Sequence, residues 1–404
     1  MEKGKEFRSR FFSVNPVLNY LPEDDRFLFA IDKPKYKFNL IGAGLMGLEH
    51  MKLTFLEGRA VVHGVFDPNP RSMAVANEAF SKFSSEGTLF IYDSLEEACN
   101  DPEVDGLIIS TPNHTHIDVV REAVKSGKHI LLEKPMATTI KDAHEIAGIA
   151  ENYDAVFQIG LQYRYKAICV EAIHEVFERK SIGDVKTISI LEHRIPFLDK
   201  VGQWNKFSEY SGGTLVEKCC HYFDLLNLFA GSRPVSVFAS GGMAVNFLGF
   251  EYDGEKSDIL DNAFVIVNYE NGVRARFDLC MFVPVYYEEI ILCGDEGRLK
   301  ASENLNLLEG QKSESYLEIM RGEGQPSRAT NPAYPSHITE TGHSGATYFE
   351  HICFVDNIEG KETNTATANE GFWSIVVGVA AEESVKTGGV VNINELLKRN
   401  GIDA

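Results

Sequence analysis

From residue 37 to about residue 160 the apolar positions fall in short runs of strand length, separated by longer stretches of helical spacing. The runs are "KFNLIGAG", "AVVHGVFD", "VDGLIIST", "HILLEKP" and "AVFQIGLQ". The helical stretches are "LMGLEHMKLTFLEG", "SLEEACND", "THIDVVREAVKSG" and "TIKDAHEIAGIAENY". Ser94, three residues before Glu97, gives the second of these a capping box. Strands that are apolar on both faces and alternate with helices predict right-handed crossovers and a doubly wound parallel sheet.

After Tyr163 the rhythm changes. One helix, "YKAICVEAIHEVFERK", leads into a strand, "VKTISILEHRIPF". A long apolar helix is expected over "GGTLVEKCCHYFDLLNLFAG", Gly212 to Gly231. Strands then follow strands: "PVSVFASG", "NAFVIVNYENGVRARFDLC" and "EEIILCGDEGRLKAS". Asn271-Gly272 between apolar runs signals a tight hairpin, and Asp295-Glu296-Gly297 a second one. The pattern predicts an α+β domain with a large, mostly antiparallel open sheet. Residues 320–346 read as a surface loop, and two helices, "ATYFEHICFVDNIEG" and "ANEGFWSIVVGVAAEESVKTGG", close the chain. The expected divisions are an arm over 1–36, a first domain over 37–160, a second over 161–368 and a closing helix and tail over 369–404.

A chain of 404 residues exceeds what one core usually organises, which agrees with two domains. Its net charge of −20 repels phosphate backbones and anionic lipid, so nucleic acid and membrane surfaces are poor partners. The seven cysteines show no zinc or disulfide spacing, and with no export signal or bilayer-length apolar run a cytoplasmic location is expected.

The first apolar run ends in G-x-G-x-x-G: Gly42, Gly44 and Gly47. Such a turn between strand and helix lets backbone N–H groups meet a pyrophosphate at the helix N-terminus. Asp67, at the end of the second strand, is placed to accept hydrogen bonds from ribose hydroxyls and to repel a 2′-phosphate. NAD is therefore the expected cofactor, and nearby Arg71 leaves NADP open. Thr111 and Pro112, in "STPNHTH", lie at the ligand edge of such a sheet. His114 and His116 invite a metal reading, but the pattern puts one in a loop and the other at a helix start, and no metal is assigned.

Lys134, in "EKP", precedes a proline and so stays extended, its ammonium off the same edge. In the expected helix over 212–231, Leu215, Cys219, Tyr222, Phe223, Leu225, Leu226 and Phe229 gather on one side, towards the second sheet. Glu217, His221 and Asp224 gather opposite. An imidazole with a carboxylate one turn away suits the removal of a hydroxyl proton during hydride transfer, with Lys134 orienting that hydroxyl. A solvated, salt-bridged face gives the same pattern. An E-x-x-x-H-x-x-D helix can also hold a metal ion, but no further ligand is placed to complete it.

Together, "IGAGLMG", "TPNHTH", "EKP" and "GGTLVEKCCHYFDLL" resemble the glucose-fructose oxidoreductase / inositol dehydrogenase family (Gfo/Idh/MocA) over about residues 37–392. The resemblance implies a Rossmann domain and an α+β domain whose open sheet serves as a homo-oligomer interface, with the late helix returning to the Rossmann domain. It implies Lys134 and His221 as the catalytic pair. Glu217 stands where relatives carry aspartate, and Lys218 where small or apolar residues are usual. By the same matching, the cofactor contacts include Leu45, Met46, Asn113, His116, Glu133, Lys134 and Arg164, beside the glycines, Asp67, Thr111 and Pro112. Tyr163, Trp204, Asp224 and His343 become substrate-side candidates. The activity implied is NAD(H)-dependent hydride transfer at a ring hydroxyl of a sugar, glycoside or cyclitol. Two alternatives share the motifs: a tightly bound, internally recycled NAD that oxidises a glycoside transiently, and a non-catalytic dinucleotide-binding regulator. The presence of both Lys134 and His221 disfavours the regulator.

Overall fold

The short apolar runs of the first part become a parallel sheet. A computed structural model of the chain describes residues 34–84, 87–305 and 313–403. Of the expected arm, residues 1–33 lie outside the described residues. β1 (Tyr36–Ile41), β2 (Ala60–Phe66), β3 (Phe90–Ile91), β4 (Gly106–Ile109), β5 (His129–Glu133) and β6 (Phe157–Gly160) pair in the order β3-β2-β1-β4-β5-β6. Helices α1 (Leu45–Glu57), α2 (Pro70–Phe83), α3 (Leu95–Asn100), α4 (His116–Ala123) and α5 (Ile140–Glu151) connect them. The strand order reverses between β1 and β4, and ligands of such sheets bind in the crevice beyond the strand ends at that point.

Two elements of this sheet have no counterpart in the pattern reading. α2 begins at a proline, and the side chain of Asn69 accepts a hydrogen bond from Arg71 N. β3 is only two residues long, too short for an apolar period to register. Ser94 caps α3 as expected, accepting from Glu97 N at 3.2 Å.

The second half opens with α6 (Ala167–Ile173) and builds a nine-stranded sheet. β7 (Val185–His193) is central. Three short helices follow: α7 (Ser208–Ser211), α8 (Thr214–Glu217) and α9 (Cys220–Ala230). Then come β8 (Pro234–Gly242), the small hairpin β9 (Glu251–Tyr252) and β10 (Glu255–Lys256), β11 (Asn262–Tyr269), β12 (Arg274–Cys280), β13 (Tyr286–Gly294), β14 (Gly297–Leu305), β15 (Glu314–Arg321) and β16 (Arg328–Thr330). The chain closes with α10 (Ser336–Thr339), α11 (Ala346–Ile358), α12 (Ala368–Thr387), β17 (Val391–Asn392) and α13 (Ile393–Arg399). The sheet order is β16-β15-β14-β13-β7-β12-β11-β8-β17, and of these pairs only β7 with β12 is parallel. Asn271-Gly272 makes the β11–β12 hairpin, with Gly272 at φ 87°, and Asp295-Glu296 joins β13 to β14. The stretch 320–346 is not loop throughout, because β16 and α10 form within it.

The expected helix over 212–231 is broken. α8 ends at Glu217 and α9 starts at Cys220, with Lys218 and Cys219 in a turn between them. The apolar side of α9 packs as expected: Tyr222 stacks on Phe277 of β12 with centroids 4.8 Å apart, and Phe223 meets it edge-on. α12 lies between the two sheets, against α5 on one side and α9 and β8 on the other, and β17 then pairs with β8. Among the described residues no helix is long and apolar enough to cross a membrane.

Candidate active site

The glycine turn has the three properties its spacing demands. Gly42 adopts φ 98°, and a Cβ there would lie 2.7 Å from the Ser110 carbonyl oxygen. A Cβ on Gly47 would lie 2.2 Å from the Gly42 carbonyl oxygen, so helix and strand pack in contact. A Cβ on Gly44 would meet nothing within 4 Å. That open approach adjoins the N-terminus of α1, which has no side-chain cap. Free N–H groups at a helix start, reached through a side-chain-free residue, fit a dinucleotide pyrophosphate. Leu45 is exposed at the first position of α1, with Met46 beside it. Asp67 follows β2 and accepts from Ala43 N and Asn69 N, each at 2.8 Å, so its carboxylate is fixed beside the turn.

At the next strand ends, Thr115 bridges the Thr111 hydroxyl (2.8 Å) and the Pro112 carbonyl (2.7 Å). His116 is buried, its ring nitrogens 2.9 Å from the Pro135 carbonyl and 3.0 Å from that of Thr111. Burial lowers its pKa, and the neutral ring, with its single N–H, donates to one of these carbonyls while its other nitrogen lies against the second, between the Thr111 loop and the loop carrying Lys134. The side-chain amide of Asn113 reaches the Ser211 carbonyl just ahead of α8.

Lys134 crosses to the second sheet's helices. Its Nζ lies 3.3 Å from the backbone oxygen of Glu217, and the Lys134-Pro135 peptide is cis. Burial works against its charge, but the carboxylates of Glu217 and Glu133 outweigh it and hold the pKa above the ordinary lysine value. Lys134 is thus a cationic donor and not a base. Glu133 beneath it pairs with His50 at 2.9 Å, and His50 with His351 at 2.8 Å. His50, Glu133 and Glu350 bring ligand-type atoms within 4.8 Å of one another. Among the described residues the Glu350 carboxyl has no partner, and burial, then the charges of Glu133 and Glu49, raise its pKa.

His221 is buried at the start of α9. Burial, then the ammonium groups of Lys134 and Lys218, push its pKa well below that of ordinary imidazole, so the ring is neutral and able to accept a proton. Its face lies parallel to Tyr163, with centroids 4.0 Å apart and planes 7° from parallel. Tyr163 in turn faces His343, which is held by Glu49 of α1 at 2.8 Å. Residues from both sheets therefore surround one spot.

The break after α8 changes the roles of the carboxylates. Burial raises the pKa of Glu217, but Lys134, Lys200 and Lys218 reverse this and bring it to about 2. Its Oε1 meets Lys200 at 3.1 Å, and Lys200 sits 4.4 Å above the Trp204 ring, so Glu217 and Trp204 share one cation. Among the described residues Nδ1 of His221 has no partner, contrary to the expected carboxylate one turn away. Asp224 is not gathered with Glu217. It makes a two-pronged pair with Arg164 at 2.6 and 2.7 Å, and Arg164 also meets Glu370 of α12 at 3.0 Å. These three line a separate cavity of about 220 Å³ with Asn227, Arg233 and Trp373.

Comparison with known proteins decides the family. Residues 36–161 match the oxidoreductase family's NAD-binding Rossmann fold, and residues 175–393 match its C-terminal alpha/beta domain. The chain belongs to the Gfo/Idh/MocA oxidoreductase family. It is 25% identical over 304 residues to the 1,5-anhydro-D-fructose reductase of Ensifer adhaerens, covering 74% of this chain and 83% of that protein. It is 22% identical over 363 residues to the myo-inositol 2-dehydrogenase of Thermotoga maritima, covering 89% and 99%. Among solved structures, levoglucosan dehydrogenase in complex with NADH and levoglucosan superposes with a TM-score of 0.73 at 18% identity, covering 89% of this chain and 99% of that one. This Gfo/Idh/MocA chain is thus an oxidoreductase with an NAD-binding Rossmann domain, and its glycine turn fits that cofactor.

Several site residues of this Gfo/Idh/MocA protein carry no sequence signal of their own. Lys166 is buried between Glu288 (2.7 Å) and Glu303 (2.9 Å), and Lys218 meets Glu192 at 3.1 Å. Their carboxylate partners lie on strands up to 137 residues away, so only the fold reveals the pairs. Cys219 and Cys220 are buried free thiols, and burial pushes Cys220 up to about 12, which leaves it unreactive.

Proposed function

We propose that the protein transfers a hydride between nicotinamide and a hydroxyl-bearing ring carbon of a sugar, glycoside or cyclitol, with His221 as the acid/base and Lys134 orienting the hydroxyl. One observation carries the reading: a part-buried ammonium and a buried neutral imidazole converge beyond the strand ends of a dinucleotide-binding sheet. NAD, when bound, supplies the hydride acceptor or donor. Gly44, the start of α1 and Asp67 hold its pyrophosphate and ribose. Lys134 donates to the substrate oxygen and stabilises negative charge as the proton leaves. His221 takes that proton in oxidation and returns it in reduction, a contribution of about 10²–10⁴ in rate. Trp204, Tyr163 and His343 wall the substrate, while Glu217 acts by fixing Lys200 and the Lys134 loop. The relatives named above, a reductase of an anhydro sugar and a dehydrogenase of a cyclitol, support this substrate class.

We propose domains over 37–160 and 161–368, with 369–404 as a returning segment; the packing of α12 against α5 supports the return, while β17 joins the second sheet. The direct test is a screen of sugars, glycosides and inositols with NAD, followed at the nicotinamide absorbance. Turnover that vanishes in His221→Gln and Lys134→Met while NADH binding persists is the expected result. Near-parental hydride transfer in either variant sinks the assignment. NAD that co-purifies, with no net NADH released during turnover, favours the internally recycled cofactor.

A further inference from the structure

Lys218 occupies the turn between α8 and α9, where a lysine ordinarily reaches water, yet only 6% of its side chain is exposed. Burying an ammonium costs several kcal/mol unless partners offset it. Its Nζ donates to the Tyr163 hydroxyl at 2.6 Å and lies 3.1 Å from Glu192 Oε1. Tyr163 is gripped from other sides as well: Tyr222 meets its ring edge-on with centroids 5.5 Å apart, and the Lys166 ammonium sits 4.4 Å from its centre.

His221 lacks the support an acid/base imidazole usually has. The second ring nitrogen normally bonds a carboxylate or carbonyl, which sets both ring plane and tautomer. Here Nδ1 is buried without a partner among the described residues, and Glu217 faces Lys200 instead. The parallel contact with Tyr163 is what defines the imidazole plane.

We infer that Lys218 is a positioning residue for His221: by holding the Tyr163 hydroxyl it fixes the aromatic shelf on which the imidazole lies. Its bearing on turnover rests on the proposed role of His221, but the positioning itself does not. The Lys218 charge acts in the same place. The charged and titratable groups facing His221 are Lys134 beyond β5, Lys218 itself, Lys166 ahead of α6 and His343 ahead of α11, with Tyr163 and Tyr222 in ring contact around it. After burial, the Lys134, Lys218 and Lys166 ammonium groups hold the imidazole pKa down. Loss of one of them eases protonation.

The test is NMR of the full chain with labelled histidine, the His221 signal being assigned by its absence in His221→Gln. In Lys218→Met the signal is expected to move and broaden, and its titration midpoint to rise by about one pH unit, tenfold in proton affinity. Lys218→Arg, which keeps the charge and a donor, stays near the parent. A Lys218→Met protein with parental circular dichroism and NADH affinity, and with an unchanged His221 signal and midpoint, overturns the inference. If Lys218→Met does not fold, Tyr163→Phe decides, because it removes the hydroxyl and leaves the Lys218–Glu192 pair in place. A displaced or broadened His221 signal in that variant supports the shelf, and an unchanged one overturns it. The readout needs no substrate. Hydride transfer that survives His221→Gln would therefore remove the acid/base reading without touching this one.

Discussion

The Lys134 ammonium lies 3.3 Å from the backbone carbonyl of Glu217, joining two loops 83 residues apart in the chain. The Glu217 side chain completes the link by pairing with Lys200, so one residue engages two cations through different atoms. Its buried carboxylate also offsets the charge of Lys134. Removing one member of a buried ionic group costs about 3–5 kcal/mol because the partners are left uncompensated. Glu217→Ala is therefore expected to lose stability of that order in urea denaturation, and Glu217→Gln less, since the amide oxygen still accepts from Lys200. A Glu217→Ala protein as stable as the parent contradicts the assignment.

The glycine turn separates packing from binding. Gly47→Ala forces a Cβ to within 2.2 Å of the Gly42 carbonyl oxygen, so helix and strand must part. It is expected to lower the melting temperature, overpacking of this kind costing about 1–3 kcal/mol, and to weaken NADH binding with it. Gly44→Ala meets nothing within 4 Å. It should leave the melting temperature in place and weaken NADH at least about tenfold, or about 1.4 kcal/mol, because the Cβ fills the approach to the helix start. Isothermal titration beside thermal melts distinguishes the two, and equal behaviour of both variants refutes the division.

Why these glycines were legible while the polar contacts were not has a physical reason. Backbone constraints act over a few residues, so Gly42-Gly44-Gly47, Asn271-Gly272 and the Ser94 cap declare themselves in the sequence. The alternation of apolar runs likewise gives both sheets. The helical wheel over 212–231 fails because it assumes one continuous helix. The helix is interrupted by a turn at Lys218–Cys219, and Glu217, His221 and Asp224 find separate surroundings: Glu217 pairs with Lys200 and Asp224 with Arg164. Asp224 then meets Arg164, which the family resemblance implies as a cofactor contact, and no local spacing could reveal that pairing. Lys218 and Lys166 look like surface charges until the strands bearing Glu192, Glu288 and Glu303 fold over them.

Acid should destabilise the protein from near neutrality. His116, His221 and His351 are buried, and desolvation lowers the pKa of each, with neighbouring cations adding to the effect at His221 and the His50 ring at His351. Below about pH 6.5 the unfolded chain binds protons at these positions that the folded chain refuses. Stability then falls as pH drops, by up to about 1.4 kcal/mol per pH unit for each group. Glu217, depressed to about 2, adds a loss between about pH 4.3 and 2. Glu350 runs the opposite way, since its raised pKa favours the fold at low pH. Urea midpoints at pH 8, 6 and 5 check the net sign, which is expected to be a decrease. A flat profile over that range contradicts neutral burial of the three imidazoles.

Asp67 should set the choice between NAD and NADP. Its carboxylate is locked by the Ala43 and Asn69 N–H groups beside the glycine turn, so it cannot swing away from a 2′-phosphate. The parent is expected to prefer NADH over NADPH by at least about tenfold. Asp67→Ser keeps an acceptor for a backbone N–H but removes the charge, and it should narrow the ratio by weakening NADH and easing NADPH. Equal affinity of the parent for both cofactors would mean that nearby Arg71 outweighs the acid.

The outer face of the large sheet is expected to be covered by a second copy of the chain. On β11 the inward residues Ala263, Val265 and Val267 are fully buried, while the outward Phe264 and Ile266 are 61% and 47% exposed. Phe238 of β8 stands directly across from Ile266 and is 38% exposed, so the apolar residues are contiguous across strands. An exposed apolar patch on a broad sheet marks an association surface, and a homo-oligomer through this face agrees with what the sequence resemblance implies. Light scattering should give a mass that is a multiple of 45.0 kDa. Phe264→Lys with Ile266→Lys places two like charges on that face and should yield monomers with NADH affinity intact, since neither residue adjoins the glycine turn. A parent that is monomeric at micromolar concentration, or an oligomer unmoved by the double substitution, places the interface elsewhere.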